Sequence, residues 1–156
     1  MLANANSTPA DGVTDLLGRD HRRLDAILAD AKRCLSAGEL SRAAARFAEF
    51  QAGLERHIAA EEEILFPAFE SLTGSAGGGP IHVMRLEHVE LRKLMQEVAE
   101  RLEGGREEGN APPLAALTAR IYAHNGKEER ILYPAIDQAA RSAATLDDLL
   151  RRLAML

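Results

Sequence analysis

The sequence contains one long repeat. His57-Ile58-Ala59-Ala60-Glu61-Glu62-Glu63-Ile64-Leu65-Phe66-Pro67-Ala68 aligns with His124-Asn125-Gly126-Lys127-Glu128-Glu129-Arg130-Ile131-Leu132-Tyr133-Pro134-Ala135 at an offset of 67 residues. The same offset separates His21 from His88, and each is followed three residues later by leucine, Leu24 and Leu91. The apolar stripes obey it too. Leu17, His21, Leu24, Leu28, Ala31 and Leu35 match Met84, His88, Leu91, Met95, Val98 and Leu102; Phe47, Phe50, Leu54, His57, Glu61 and Ile64 match Leu114, Leu117, Ile121, His124, Glu128 and Ile131. Steps of three and four residues hold each stripe on one face of a helix. The chain thus reads as two copies of one helical hairpin, each burying its apolar face against the other about an approximate two-fold axis.

The spacing predicts helices over about Thr14–Ser36, with Thr14 or Asp15 as cap and Gly38 at the end, and over about Leu40–Phe66. A third follows from about Ile81 to Leu102, and a fourth from Pro112 and Pro113 to Tyr133 or beyond. The loops are the runs 73–80 and 104–110. A short helix capped by Thr145 covers Leu146 to about Ala154. Pro67 and Pro134 predict a kink or a stop near the ends of the second and fourth helices. The fold class is all-α: a four-helix up-down-up-down bundle of two repeated hairpins plus a short C-terminal helix. Residues 1–13 read as a disordered leader and 14–156 as one domain.

Composition agrees. The chain has 156 residues, 46% of them apolar but only 4% aromatic, and is rich in the helix formers Ala, Leu, Glu and Arg. A net charge of −5 with both signs interspersed offers no basic face for nucleic acid and argues against an anionic membrane surface. Cys34 is the only cysteine, so neither an internal disulfide nor a cysteine-based zinc site can form. The start MLANANSTPADG lacks the pattern of a signal peptide, and no apolar run is long enough to span a bilayer. A soluble cytoplasmic protein is expected.

Six polar residues interrupt the stripes: His21, His57, Glu61, His88, His124 and Glu128. A buried ionised carboxylate without a partner is costly, and no Lys or Arg sits in the stripes to offset it. A metal cation would, with imidazole as companion ligand. His57 with Glu61, and His124 with Glu128, stand one turn apart, about 5–6 Å between Cβ atoms. Each carboxylate can then bridge two metals while the neighbouring histidine binds one. Imidazole and carboxylate without thiolate suit iron or manganese over Cu(I) or structural zinc. Open coordination positions would take water, dioxygen, peroxide or nitric oxide.

A lone stripe histidine is more often a hydrogen-bonded core residue, and a lone His-x-x-x-Glu is common on solvated helices. Two such pairs and two further histidines at one offset are not explained that way. His82 lies off the stripe and reads as surface. Phe66 and Tyr133 read as core, Tyr122 as boundary, Glu62 and Glu129 as exposed or as supports behind the proposed ligands. Cys34 reads as a buried small hydrophobe, and Met84 and Met95 as packing.

The order His21, His57-x-x-x-Glu61, His88, His124-x-x-x-Glu128, with the tails Leu65-Phe66-Pro67 and Leu132-Tyr133-Pro134 and the pair Glu87-His88, resembles the hemerythrin-like (HHE) cation-binding domain over about Thr14–Ala139. The resemblance implies a four-helix bundle around two non-haem irons, oxo- or hydroxo-bridged and bridged also by Glu61 and Glu128, ahead of manganese or zinc. Oxygen-carrying hemerythrins have His-x-x-x-His on the third helix, where Met84 stands here, and one bridging Asp in place of Glu128. The pattern is closer to the hemerythrin-like domain of the repair-of-iron-centres proteins and to small stand-alone bacterial relatives.

Three functions follow from these residues. The first is a di-iron binding protein for dioxygen, nitric oxide or iron, in sensing, storage or stress response. The second is a di-iron enzyme acting on peroxide or nitric oxide, or an iron donor for repair of iron-sulfur centres. The third is a metal-free structural or partner-binding bundle. No second functional motif is visible, which favours the binder; the sequence leaves any protein partner open.

Overall fold

The computed structural model describes residues 9–75, 78–105 and 112–155. Residues 1–8 of the expected leader, Ala76 and Gly77 of the first loop, residues 106–110 of the second, and Ala111 and Leu156 lie outside the described residues. Helix α1 spans Val13–Ser36 and α2 Leu40–Ala60, which runs through a π-helical turn, Glu61–Leu65, into α3, Phe66–Thr73. After the glycine loop come α4, Gly79–Glu103, and α5, Pro112–Lys127, then a second π-helical turn, Glu128–Leu132, and α6, Tyr133–Ser142. Helix α7, Leu146–Leu153, closes one end. The architecture is the expected all-α bundle with a short C-terminal helix. No described helix is long and apolar enough to cross a membrane.

The prolines neither stop nor simply kink their helices. Each stands just past a π-helical turn, whose backbone N–H of Phe66 or Tyr133 reaches five residues back to the carbonyl of Glu61 or Glu128. The register slips where proline would leave a hydrogen bond unmade, and the wider turn makes room for its ring. The slip also moves the buried face. Past Glu61 it carries Leu65 and Phe66, and past Glu128 Leu132 and Tyr133. Ile64 is only partly buried, and Ile131, assigned by periodicity to the stripe, is 67% exposed.

The start of α1 also differs. Neither Thr14 nor Asp15 caps it; the backbone N–H groups of Val13 and Thr14 donate to the carboxylate of Asp137 on α6 at 2.6 and 3.1 Å, and the Thr14 hydroxyl adds a third bond at 2.7 Å. A carboxylate is favoured at a helix N-terminus by the free N–H groups and the helix dipole. Gly12 permits this approach, since a Cβ there would lie 2.6 Å from Asp137 Oδ1. Arg141 of α6 further donates to the Asp11 carbonyl, and Val13 is fully buried, so the chain is docked from there on. Thr145 does not cap α7 through its side chain; its hydroxyl points back to the Ala140 carbonyl. Gly38, at φ 74°, ends α1 as expected.

The apolar interior is split in two. One cluster, with Leu28, Phe47, Phe50, Met95 and Leu117, fills the end near Cys34, which is buried in it. The other, with Leu17, Phe66, Ile81, Tyr133 and Ile136, lies under α7. A polar layer separates them.

Candidate metal centre

That layer holds all six residues singled out above. His21, His57, Glu61, His88, His124 and Glu128 are each no more than 2% exposed. One ligand atom from each of Glu61, His88, His124 and Glu128 falls within 4.8 Å of the others, and a second such group comprises His21, His57 and Glu128. Glu128 thus belongs to both groups. Its Oε1 lies 2.9 Å from His124 Nε2 and its Oε2 3.3 Å from His21 Nε2. Glu61 Oε2 lies 3.2 Å from His88 Nε2, and its Oε1 3.7 Å from His57 Nε2. His82 is exposed and takes no part.

Every imidazole is oriented from behind by a carboxylate. His21 Nδ1 is 2.7 Å from Glu129 Oε1, His57 Nδ1 2.9 Å from Asp20 Oδ2, His88 Nδ1 2.9 Å from Glu62 Oε1 and His124 Nδ1 2.8 Å from Glu87 Oε2. A carboxylate only accepts, so each Nδ1 carries a proton and donates it. Each Nε2 is left to face the centre, the orientation metal-binding histidines take. This outer ring follows the repeat: Asp20 corresponds to Glu87, and Glu62 to Glu129. It is itself buttressed. Arg23 donates to Asp20 at 2.7 Å, Lys127 pairs with Glu87, and Arg92 binds Glu62 at 3.1 Å and Glu55 at 2.7 Å.

The centre is therefore rich in acceptors and poor in protons. Glu61 Oε2 and Glu128 Oε1 are buried without a hydrogen-bond partner. His88 Nε2 and His124 Nε2 stand 3.2 Å apart, too close for two lone pairs with nothing between them. Either protons or cations must fill this space. Without a cation, burial pushes the imidazoles of His57 and His88 down, but the surrounding carboxylates outweigh it. Glu61 and Asp20 raise His57 to about 10, and Glu128, Glu61 and Glu62 raise His88 to about 10. His124 is raised for the same reason, chiefly by Glu128 and Glu87. Burial works against the charged form of Glu128, yet the imidazoles of His124, His21 and His88 that surround it hold it well below the usual carboxylate range. Glu61 is lowered also, against burial and the charge of Glu128. Protons here occupy positions that metal cations suit better, because the donors are imidazole nitrogens and carboxylate oxygens grouped around two points. The residues fit a two-metal centre.

One central group was not anticipated. The Tyr133 hydroxyl donates to Glu61 Oε1 at 2.5 Å and lies 3.1 Å from Glu128 Oε2, 3.3 Å from His57 Nε2 and 3.4 Å from His21 Nε2. Burial, with the charges of Glu128 and Glu61, pushes the phenol well above its ordinary value, so it stays a donor. Its repeat counterpart, Phe66, stacks on His88 at 5.7 Å and has no hydroxyl, whereas Tyr133 stacks on His21 at 5.7 Å. The two halves are thus chemically unequal. The signal in the sequence was the Phe66/Tyr133 mismatch between otherwise matching repeats. Asp20 and Glu87 were legible only in the same way, as paired acids preceding His21 and His88.

Residues 12–136 match a family model, the hemerythrin HHE cation-binding domain. No curated protein and no solved structure matches the chain significantly.

Proposed function

The chain belongs to the hemerythrin HHE cation-binding family, and from that premise we propose that it is a cytoplasmic non-haem di-iron protein that binds a small diatomic ligand, dioxygen or nitric oxide. His88 and His124 with Glu61 and Glu128 would hold one iron. His21 and His57 with Glu128, and with Glu61 through the Oε1 that lies 3.7 Å from His57 Nε2, would hold the other, and the iron there would be free to take an exogenous ligand. When bound, the iron pair supplies reversible redox change and Lewis acidity. The residues of this chain set the imidazole orientation through Asp20, Glu62, Glu87 and Glu129, exclude bulk water through the two flanking apolar clusters, and present one proton donor, the Tyr133 hydroxyl, to whatever occupies the His21–His57 end.

The observation that carries this reading is the convergence of four Nδ1-anchored imidazoles on two carboxylates whose Glu61 Oε2 and Glu128 Oε1 are buried and unpartnered. The test is elemental analysis of untagged protein produced with ample iron, followed by titration with nitric oxide and azide under spectroscopic observation. Two irons per chain and saturable ligand spectra support the proposal. Absence of metal, or a substoichiometric mixture, overturns it. A peroxide-consuming enzyme is the second reading, favoured by the one buried phenol, since disproportionation of peroxide, in which a second peroxide supplies the electrons and leaves as dioxygen, requires protons at the oxygens that become water. Peroxide decay that is catalytic in the iron-loaded protein and slowed by Tyr133→Phe would establish it.

A further inference from the structure

The two sides of the bundle are closed differently. Where α2 meets α4 the helices pack closely, and Arg92 of α4 spans the seam, gripping both Glu55 and Glu62, the carboxylate behind His88. On the opposite side α1 and α5 pack only weakly, and a groove of about 500 Å³ runs between them. The repeat explains the difference. Asp25 stands where Arg92 stands in the other copy, and Tyr122, 80% exposed, stands where Glu55 does. An acid at 25 cannot grip Glu129, so among the described residues this seam has no such clasp. Glu129 itself lines the groove, and its Oε1 is 2.7 Å from His21 Nδ1. The groove therefore ends one side chain away from the His21–His57 half, the half that also carries the Tyr133 hydroxyl. Arg22 and Arg130 flank its inner end, where a second depression meets it. Gly126 lets Arg130 fold back against its own helix; a Cβ there would lie 2.7 Å from Arg130 Nη2. Lys32 at the outer end adds positive charge to the wall.

We infer that the α1–α5 groove is the entrance by which small neutral or anionic ligands reach the His21–His57 end of the centre. This rests on the reading of that centre as a metal site. The opposite seam, closed by Arg92, admits nothing at a comparable rate. The sequence difference between the copies is thus a device for giving the centre one door.

The test grafts the missing clasp. In Asp25→Arg/Tyr122→Glu, Arg at 25 faces Glu at 122 and the native Glu129, reproducing the Arg92–Glu55–Glu62 arrangement. Azide association with the iron-loaded protein, followed by stopped flow, should slow about tenfold, the population factor expected for opening a clasp of part-exposed ion pairs. Iron content and the final azide spectrum should not change. Ala29→Trp, which fills the groove from α1 without new charge, should slow it as well. A second readout needs no metal: deuterium exchange at the imidazole C2 positions of the metal-free protein. His21 and His57 should exchange faster than His88 and His124, and the clasped variant should erase the difference. Unchanged azide rates in both variants, or equal exchange at the four central histidines of the native chain, overturn the inference. If the protein takes up no iron yet shows the unequal exchange, the metal reading fails and the entrance stands.

Discussion

Replacing Tyr133 with phenylalanine copies into one half of the centre what Phe66 already provides in the other, so the ring packing survives and only the hydroxyl is lost. That hydroxyl donates to Glu61 Oε1 at 2.5 Å and lies 3.1 Å from Glu128 Oε2. Hydrogen bonds to charged acceptors contribute about 1.5–3 kcal/mol. The loss also leaves a third carboxylate oxygen in the layer short of donors, beside Glu61 Oε2 and Glu128 Oε1. A destabilisation of about 2 kcal/mol follows, which for a chain of this size lowers Tm by about 6 °C. With metal bound, the carboxylates are satisfied by cations and the hydroxyl matters less to them. The loaded protein should therefore lose under about 1 kcal/mol. By linkage, the variant should bind its metals more tightly than the native chain, by about tenfold for a difference of 1.4 kcal/mol. Thermal unfolding of metal-free and metal-loaded forms of both proteins, with metal affinity measured by competition against a chelator, closes the cycle. Equal destabilisation of both forms, or weaker metal binding by the variant, would refute the view that Tyr133 stands in for a cation.

Metal binding should release protons. His57 and His88, each raised to about 10 in the metal-free chain, are protonated at pH 8 and cannot be when they ligate, so calorimetry in buffers of different ionisation enthalpy should detect at least their two protons. The same groups set the pH dependence of the metal-free fold: raised values contribute stability that is full below pH about 6.5, where the unfolded imidazoles are charged as well, and lost as pH climbs through about 10. Urea midpoints should fall between pH 7 and 10, and a flat profile would refute the assignment. Glu128→Gln should abolish binding of both metals while leaving the helical circular dichroism of the chain in place; retention of one metal would mean that Glu128 does not bridge. Asp137→Ala should cost about 1–2 kcal/mol through loss of the α1 cap, with amide exchange accelerated at Val13 and Thr14 and iron content unaltered.

The bundle and its six central residues were legible because both depend on periodicity, and the repeat states each periodicity twice. Tyr133 was not legible as a central residue because the reading assumed α-helical phase. A five-residue step along an α-helix turns about 140° away from its start, which places Tyr133 off the Glu128 face. A π turn, bonded five residues back, brings the fifth residue nearly over the first. Pro134 was the clue, read as a break rather than as a register slip; the same slip moved Ile131 out to solvent and Leu132 in. The Asp137 cap was illegible for another reason. It joins residues 123 and 124 positions apart in the chain, and no local pattern announces such a contact. The open seam was written in the sequence all along, at Asp25 against Arg92 and Tyr122 against Glu55, but a mismatch between repeats acquires meaning only once the side chains that should meet are known.

The order of assembly follows from the same groups. A centre that required metal to fold would leave four imidazoles and two carboxylates uncompensated in its absence. With no cation beside them, protons on His57 and His88 would offset Glu61 and Glu128, and the Tyr133 hydroxyl donates to Glu61 Oε1. Apolar clusters above and below are complete without reference to the centre. A chain that folds first would exchange protons for metal afterwards. Folding first closes both ends of the bundle, so anything reaching the layer later must come through a side. The α2–α4 side is held by Arg92, and the α1–α5 side is not. The asymmetry that looks like an imperfection in the repeat is what a preformed, buried centre needs in order to be filled.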